Sequence, residues 1–452
     1  MKDFYLKEIK LYNYRRFEEE SFRLDKQMNL LIGANASGKT TVLEAANVVL
    51  GAYLAAYKNY VPSRFVRNIS ESDVRRKNQR TVQKDVLISS GIEQYPCFVE
   101  AQLIMDGKEY SYKRILEKKD NRTKFSGSNP MQKQVIQWEE MLKSGDESDK
   151  NLIFPIVLYL SSARLWNENK NSDFYDDIPN RTDAYHRCLD PKRGMQMPFN
   201  YIRHLKEIAV QENEGVDFPA YTLILNAINK SMEEELHEGE RIGHSLRYGG
   251  LALVETDGTW IPFENLSDGY RDVIKIVADI ATRMCILNPY LKEKTLEETP
   301  GVVIIDELDL SLHPNWQRRI VNTLIRIFPK VQFICASHSP FVVQSLKAGQ
   351  LISMSGEIEE EYSGQSIEDI AEGIMDVDNP QYSDEKQKMY ELAEAYFAKL
   401  EGANDKRELD DIKEELDVLT ARFGDNPAYY AFLKQKYLEK VVEMGKNNET
   451  GR

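Results

Sequence analysis

The chain has 452 residues, of which 42% are hydrophobic and 29% charged, and its formal net charge is -14. This length predicts two or three globular domains. No apolar run reaches the roughly eighteen residues of a membrane-spanning helix, so no transmembrane helix is predicted. The acidic balance argues against a surface that coats nucleic acid indiscriminately. The four widely spaced cysteines predict small buried residues in a reducing cytoplasm rather than disulfides or a zinc site.

Two β-strands and a glycine-containing loop open the chain. Apolar residues alternate over 4–11, with a slip of phase at Lys7 and Glu8 that a β-bulge would absorb, and residues 28–32 form a second apolar run. Residues 33–40 then match the phosphate-loop pattern G-x-x-x-x-G-K-[ST], and a helix is predicted to follow. Lys39 would contact the β- and γ-phosphates of ATP, and the Thr40 hydroxyl would bind Mg2+. The predicted ATP-binding residues are Gly33, Asn35, Ala36, Ser37, Gly38, Lys39, Thr40 and Thr41.

Residues 61–84 are rich in basic side chains and poor in acids. Such a segment contacts nucleic acid or an acidic partner, or it is a solvated loop and helix face. Contact with DNA through 61–84 is therefore one of two open interpretations. The basic residues are Arg64, Arg67, Arg75, Arg76, Lys77, Arg80 and Lys84.

The middle of the chain predicts a hairpin and a compact insertion. Alternating residues over 95–118 surround an Asp106-Gly107 turn, which is typical of a β-hairpin. Residues 166–262 are mixed and partly helical, with helices predicted at 199–210 and 221–236. They contain no sustained heptads, so a long coiled-coil arm is excluded and a helical lid is predicted.

A second predicted anion site lies at residues 263–271, which open an amphipathic helix. Ser267 and Gly269 stand at the predicted N-terminus of that helix, where free N–H groups attract anions. One chain has no use for two phosphate sites on one nucleotide. Two chains can use both sites if each chain places this segment against the ATP that the other chain holds. The pattern therefore predicts a dimer.

Polar residues follow two further apolar strands. The run at 302–305 ends at Asp306 and Glu307, which we assign to Mg2+ binding and to the general base that polarises the attacking water. The run at 331–336 is followed by His338, whose imidazole would sense the γ-phosphate; a purely structural histidine is the alternative. After residue 351, helices with apolar stripes are predicted at 389–400 and 409–423, which either pack within the chain or form an interface.

These motifs together resemble the ABC-type ATPases of the RecF and SMC branch. The segment Leu266-Ser267-Asp268-Gly269, here called the signature segment, is similar to the signature motif of that family. The resemblance implies a homodimer closed around two ATP molecules, with Ser267, Asp268 and Gly269 contacting the partner's nucleotide. It also places Asp309 in the D-loop, where it would communicate across the dimer interface.

A narrower resemblance covers most of residues 1–380. The runs IIDELDLSLHPNWQRR at 304–319 and LYLSSARLW at 158–166, with ISESDVR at 69–75, resemble the family that includes PtuA, the ATPase subunit of Septu anti-phage systems, and retron-associated ATPases. That resemblance implies a small HNH nuclease, PtuB, as partner. One departure is that residues 160–166 lack the glutamine of other ABC ATPases, which leaves the hydrolysis rate open. Arg164 either takes over part of the phosphate contact, as a phosphate sensor, or stacks against Trp166.

We therefore predict an α/β fold: an ABC-type, RecF/SMC-like ATPase head with a mixed β-sheet lobe, a helical lobe and a C-terminal helical region. The expected function is Mg2+-dependent ATP hydrolysis that controls a partner nuclease in anti-phage defence. The alternatives are a RecF-like repair ATPase and an ATP-stabilised scaffold with negligible turnover. The predicted domains are 1–165 with the phosphate loop, 166–262 as the insertion, 263–355 with the signature segment and acidic strand, and 356–452 as the C-terminal interaction region.

Overall fold

The computed structural model describes two compact units. The first comprises Met1–Ile370 with Ile374–Asp376, and the second Ala371–Gly373 with Val377–Arg452. Among the residues described, no helix is both long and apolar enough to cross a membrane. The described residues are 1–57, 66–83, 86–144, 152–165, 179–193, 196–211, 219–245, 247–354, 362, 364–375, 377–402, 411–414, 431 and 433–442.

A five-stranded parallel sheet with strand order β15-β3-β14-β13-β9 forms the centre of the first unit. Strands β3, β9, β13 and β14 are buried at every residue, as expected when helices and a second sheet cover both faces of a parallel sheet. The apolar runs at 28–32, 302–305 and 331–336 are confirmed as strands. The bounds are β3 Met28–Ile32, β9 Ile156–Leu160, β13 Gly301–Ile305, β14 Val331–Ala336 and β15 Leu351–Ser353.

A second, antiparallel sheet has the order β2-β1-β6-β7-β8. Its strand β1 shifts register between Leu6 and Glu8, which confirms the predicted bulge. Strands β6 and β7 form the predicted hairpin, with Met105 paired to Lys108 around the Asp106-Gly107 turn. The bounds are β1 Phe4–Tyr14, β2 Phe17–Arg23, β6 Cys97–Met105, β7 Lys108–Leu116 and β8 Lys124–Ser126.

The insertion at 166–262 is only partly helical. Its C-terminal part forms a three-stranded antiparallel sheet, β10-β11-β12, which differs from the helical lid predicted from the sequence. Glycines at 249–250 and the Asp257-Gly258 turn favour short hairpins here over helix, and the short strands carry little periodic signal. A two-stranded hairpin, β4-β5, follows the segment that begins at Val66. The bounds are β4 Arg76–Gln83, β5 Val86–Glu93, β10 Arg241–Ser245, β11 Gly250–Val254 and β12 Trp260–Pro262.

Helix α1 lies between the two larger sheets and is buried along almost its whole length. The side chains of Tyr112 and Arg114 on β7 donate hydrogen bonds to the carbonyls of Val49 and Val48, which fixes this helix against the antiparallel sheet. Helix α5 is likewise buried over most of its residues. The helix bounds are α1 Lys39–Leu54, α2 Asn129–Ser144, α3 Gln196–Gln211, α4 Pro219–Met232, α5 Asp268–Leu287, α6 Thr295–Glu298, α7 Pro314–Gln317, α8 Ile320–Ile327, α9 Pro340–Val343, α10 Ile367–Met375 and α11 Asp384–Gly402.

The second unit contains the predicted helix at 389–400, which is α11. Ala393, Tyr396 and Leu400 on one face of α11 form a small apolar core with Ile412 and Leu433. This part of the stripe therefore packs within the chain. Of the helix predicted at 409–423, only residues 411–414 are described, and they are helical.

Candidate functional site

The phosphate loop connects the end of β3 to the start of α1, as predicted. Gly33 and Gly38 have φ angles of 150° and 110°, a region that residues with a side chain rarely adopt. A Cβ at Gly38 would also lie 2.7 Å from Cζ of Phe17. The loop residues Ala34, Asn35 and Ala36 are exposed, whereas the side chain of Thr41 is turned toward the core. Glycine is therefore required at 38 for both conformation and space.

Lys39 is buried at the first position of α1, with its ammonium group held by the loop. Its Nζ donates hydrogen bonds to the carbonyl oxygens of Gly33, at 2.6 Å, and Ala34, at 3.1 Å. Burial lowers the pKa of Lys39, and the nearby carboxylates of Asp306, Asp309 and Glu307 partly oppose that shift. The loop thus surrounds the Lys39 ammonium, which is buried and whose charged form the nearby carboxylates stabilise.

Thr40 and Asp306 meet across the edge of the parallel sheet. The Thr40 hydroxyl donates to Oδ2 of Asp306 at 3.3 Å, although 266 residues separate the two in the chain. Burial raises the pKa of Asp306, and the negative charge of Glu307 raises it further, while Thr40 and Arg164 oppose the shift. The two oxygen donors predicted to bind Mg2+ are therefore adjacent.

The oxygen atoms of Thr40 and Asp306 are suited to bind Mg2+ together with ATP. Hydroxyl and carboxylate oxygens suit this hard cation, which commonly takes one or two protein ligands and completes its shell with phosphate oxygens and water. Within the described part of the chain, no group of three or more His, Cys, Asp or Glu residues could hold a metal ion by itself. Ser37 Oγ is buried and has no hydrogen-bond partner among the described residues, which leaves a donor for a phosphate oxygen.

Glu307 follows Asp306 in a left-handed conformation, with φ of 50°. Two backbone bonds hold this turn: the amide of Leu308 donates to the carbonyl of Ala336, and the amide of Leu310 to the carbonyl of Glu307. The Glu307 side chain is partly exposed. A partly exposed carboxylate beside a buried one is suited to contact a water molecule at the site.

The D-loop residue Asp309 lies beside His338 in the same chain. Its Oδ1 accepts a hydrogen bond from the backbone amide of His338 at 3.3 Å. Gln317 adds a second connection, since its Oε1 accepts from Ser339 Oγ at 2.6 Å and its Nε2 donates to the Leu312 carbonyl at 2.8 Å. The imidazole of His338 is exposed, so it remains available to a ligand.

The signature segment stands at the start of α5. Ser267 is the N-cap, with Oγ 3.5 Å from the amide of Tyr270, and Asp268 forms an ion pair with Arg271. Ser267 and Asp268 are exposed, whereas Gly269 is buried against the D-loop. A Cβ at Gly269 would lie 2.8 Å from the carbonyl oxygen of Ser311. Glycine is therefore needed for packing, and the two exposed residues can face another molecule.

Arg164 follows β9 in a short 3-10 helix, Ser162–Leu165, and its side chain is only 1% exposed. It forms a two-pronged ion pair with Asp272 of α5, and it also donates to the backbone carbonyls of Asp306 and Glu307. Its role as phosphate sensor stays a prediction, and phosphate contact would require some of these bonds to break. Trp166, the alternative stacking partner, lies outside the described residues.

Two residues beside the phosphate loop were not identified from the sequence. Arg16, in the turn between β1 and β2, donates from Nη1 to the carbonyl of Ala36 at 2.5 Å, and Phe17 packs against Gly38. Arg16 is exposed. The only sequence signal was two arginines and an aromatic residue in a turn near the loop, and nothing local shows that the turn lies over phosphate-binding groups.

We expect Arg16→Ala to weaken ATP binding about tenfold, because the charge-assisted hydrogen bond that holds the Ala36 carbonyl of the phosphate loop would be lost. Binding of a fluorescent ATP analogue to the purified chain measures this effect. Arg23→Ala, at an exposed position of the same hairpin, is the control and should bind like the wild type. Equal affinity of the Arg16 variant and the control would exclude Arg16 from the site.

The basic segment at 61–84 is largely engaged in ion pairs where it is described. Arg67 pairs with Glu44 and Asp73, Arg75 with Glu18, and Arg76 with Glu93. Arg64 and Lys84 lie outside the described residues. Contact of this segment with DNA stays a prediction.

Comparison with known proteins agrees with these motifs. The chain is 25% identical over 381 residues to "Retron Vc95 probable ATPase" of Vibrio cholerae serotype O1 biovar El Tor, covering 76% of this chain and 72% of the relative. It is 22% identical to "Septu protein PtuA" of Bacillus thuringiensis, covering 82% and 84%. The SMC head domain from Thermotoga maritima is 12% identical with a TM-score of 0.38, covering 76% of this chain and 93% of that one.

The resemblance to PtuA and to retron ATPases is therefore confirmed. The predicted α/β fold is confirmed by the helices that accompany the parallel and antiparallel sheets. A family model described as "AAA domain, putative AbiEii toxin, Type IV TA system" matches residues 28–344, which include the phosphate loop, the signature segment and the acidic strand. This match covers more than half of the chain, and the chain belongs to that AAA-domain ATPase family.

Proposed function

We propose that this protein is a Mg2+-dependent ATPase that works as an ATP-bridged homodimer and controls a partner nuclease. The observation that carries the ATPase proposal is the contact of Thr40 with Asp306 beside the buried ammonium of Lys39. These groups combine a phosphate-binding cation with two oxygen ligands for a divalent cation. Among the described residues, this is the one place where a phosphate loop with a buried lysine lies beside a hydroxyl and a carboxylate.

Each residue has a defined task in hydrolysis. Lys39 and the loop amides bind the β- and γ-phosphates, and Thr40 and Asp306 would hold Mg2+, which neutralises phosphate charge when bound. Glu307 accepts a proton from the attacking water, because its carboxylate is adjacent to Asp306 and partly exposed. Asp309 accepts a hydrogen bond from the backbone amide of His338, and the exposed imidazole of His338 would sense the γ-phosphate.

The direct test is release of inorganic phosphate from ATP by the purified chain, with Mg2+ or with a chelator. We expect turnover with Mg2+ and none with the chelator. Equal rates in both conditions, or no release above that of a phosphate-loop variant, would contradict the proposed hydrolysis and favour a scaffold in which ATP is structural.

The dimer proposal rests on the exposure of Ser267 and Asp268 at the N-terminus of α5. The amides at the start of a helix have no acceptor within the helix and favour an anion, and the ATP held by a second copy would supply the phosphate. Gly269, packed on Ser311, links this surface to the D-loop of its own chain. The arrangement supports a closed dimer with one signature segment over each nucleotide; larger assemblies of such dimers are compatible with it.

Ser267→Arg is expected to bind ATP normally but to remain monomeric, because a long cation would occupy the space of the partner's phosphates. Sedimentation with a non-hydrolysable ATP analogue measures the effect. Thr259→Arg, an equally exposed position in the turn after β11, is the control and should dimerise. Unimpaired dimerisation of the Ser267 variant would sink the ATP-bridged model.

The proposed partner is a small HNH nuclease in cytoplasmic anti-phage defence. Support comes from the relatives named Septu PtuA and retron ATPases, and from four cysteines that are all buried and free, as in a reducing compartment. A second candidate is genome maintenance, since "DNA replication and repair protein RecF" of Rickettsia akari is 23% identical over 256 residues. Affinity purification from native cells decides between them. An HNH protein supports defence, whereas repair factors support the RecF-like role.

A further inference from the structure

We infer that Arg164 is a positioning residue that fixes the catalytic end of β13 to helix α5, and so couples the signature segment to Asp306 and Glu307. The inference rests on the proposed ATPase function and assigns a role to a residue for which the sequence offered only a phosphate contact or a stacking interaction. The ion pair at its centre, Arg164 with Asp272, is buried within one chain.

The Arg164 guanidinium has five N–H donors, and the structure uses all of them. Nε and Nη2 donate to the two carboxylate oxygens of Asp272, each at 2.7 Å. Nη1 donates to the carbonyls of Asp306, at 2.6 Å, and Ser161, at 3.3 Å. Nη2 also donates to the carbonyl of Glu307, at 2.9 Å. One side chain thus joins three segments that are far apart in sequence.

The bonds from Arg164 to the carbonyls of Asp306 and Glu307, directly after β13, act on the backbone of both acidic residues. Glu307 has a left-handed backbone, which is unfavourable for a residue with a side chain, and the bond from Arg164 to its carbonyl holds that conformation. The bond to the Asp306 carbonyl orients the residue whose carboxylate meets Thr40. Without Arg164, both carboxylates would lose part of their fixed orientation.

The bonds to Asp272 extend this control to α5. Asp272 is fully buried and lies about one helical turn after the signature segment, so it moves with the start of the helix. Binding of the signature segment to a partner's nucleotide would therefore change the position of Glu307 through two contacts, from Asp272 to Arg164 and from Arg164 to the Glu307 carbonyl. The Arg164–Asp272 ion pair would thus connect the signature segment with the acidic residues that follow β13.

The matched test is Arg164→Lys, because lysine keeps the charge beside Asp272 but cannot make a two-pronged bond and also reach both carbonyls. We expect Mn2+ affinity, measured by electron paramagnetic resonance with a non-hydrolysable ATP analogue, to fall about ten- to hundredfold, the usual effect of losing a residue that orients a metal ligand. Nucleotide affinity in a chelator should stay close to that of the wild type, because the phosphate loop is intact. ATP turnover should fall by a similar factor to Mn2+ affinity.

Arg283→Lys is the control for a purely structural effect. Arg283 is also on α5, is buried and pairs with Asp279, and its Nη1 donates to the carbonyls of Ala184 and His186. This variant should share any loss of thermal stability while keeping wild-type Mn2+ affinity. Arg164→Met combined with Asp272→Leu, which leaves no unpaired buried charge, should reproduce the metal defect if Arg164→Lys fails to fold.

Wild-type Mn2+ affinity in the Arg164 variants, or an equal loss in Arg283→Lys, would overturn the inference. Failure of the proposed ATPase is a separate outcome: the wild type would then release no phosphate above the level of Lys39→Ala. The Mn2+ comparison still decides the role of Arg164 in that case, because it needs no hydrolysis.

Discussion

Lys39→Ala is expected to abolish ATP binding at physiological concentrations. The buried ammonium makes two hydrogen bonds to loop carbonyls. These bonds hold it inside the phosphate loop, where it would contact the β- and γ-phosphates of ATP. Losing two charge-assisted contacts should weaken affinity by about a hundredfold or more. Binding of a fluorescent ATP analogue or calorimetry measures the loss.

The thermal stability of the same variant separates a binding defect from unfolding. Burial lowers the pKa of Lys39, so the folded state disfavours its charged form. That unfavourable contribution is present below the lowered pKa and is relieved as pH rises through it. Removing the charge should therefore not lower the melting temperature at neutral pH. Lys347→Ala, at an exposed position, is the control with normal ATP binding. Retained ATP affinity in the Lys39 variant would count against the whole site assignment.

The phosphate loop and the acidic end of β13 could be predicted from the sequence because each consists of consecutive residues. The phosphate loop needs glycines at fixed positions between a strand and a helix, and the β13 run is apolar throughout because both of its faces are buried. The contact of Thr40 with Asp306 follows from topology, since the carboxyl ends of parallel strands meet at one edge of a sheet. The sequence therefore indicated both the donors and their proximity.

The contacts that connect the elements could not be predicted in the same way. The partners Arg164 and Asp272 are 108 residues apart, and neither lies in a periodic pattern that reveals its partner. The same holds for Arg16 over the phosphate loop, because the position of a hairpin turn depends on how two sheets pack around α1. The short strands β10, β11 and β12 were missed because three to five residues carry too little periodic signal against neighbouring helices.

Glu307→Gln should bind ATP with wild-type affinity and hydrolyse it on the order of a hundredfold or more slowly, because the amide cannot accept the proton of the attacking water. The left-handed backbone at 307 and its hydrogen bonds from Arg164 and Leu310 do not involve the carboxylate, so the fold should be unchanged. Slow hydrolysis should also trap the closed dimer, which sedimentation with ATP would detect. Glu297→Gln, exposed on α6, is the matched control and should turn over normally. Rapid turnover by the Glu307 variant would remove the general-base role from Glu307, whereas unchanged turnover and unchanged dimer lifetime together would favour the scaffold interpretation.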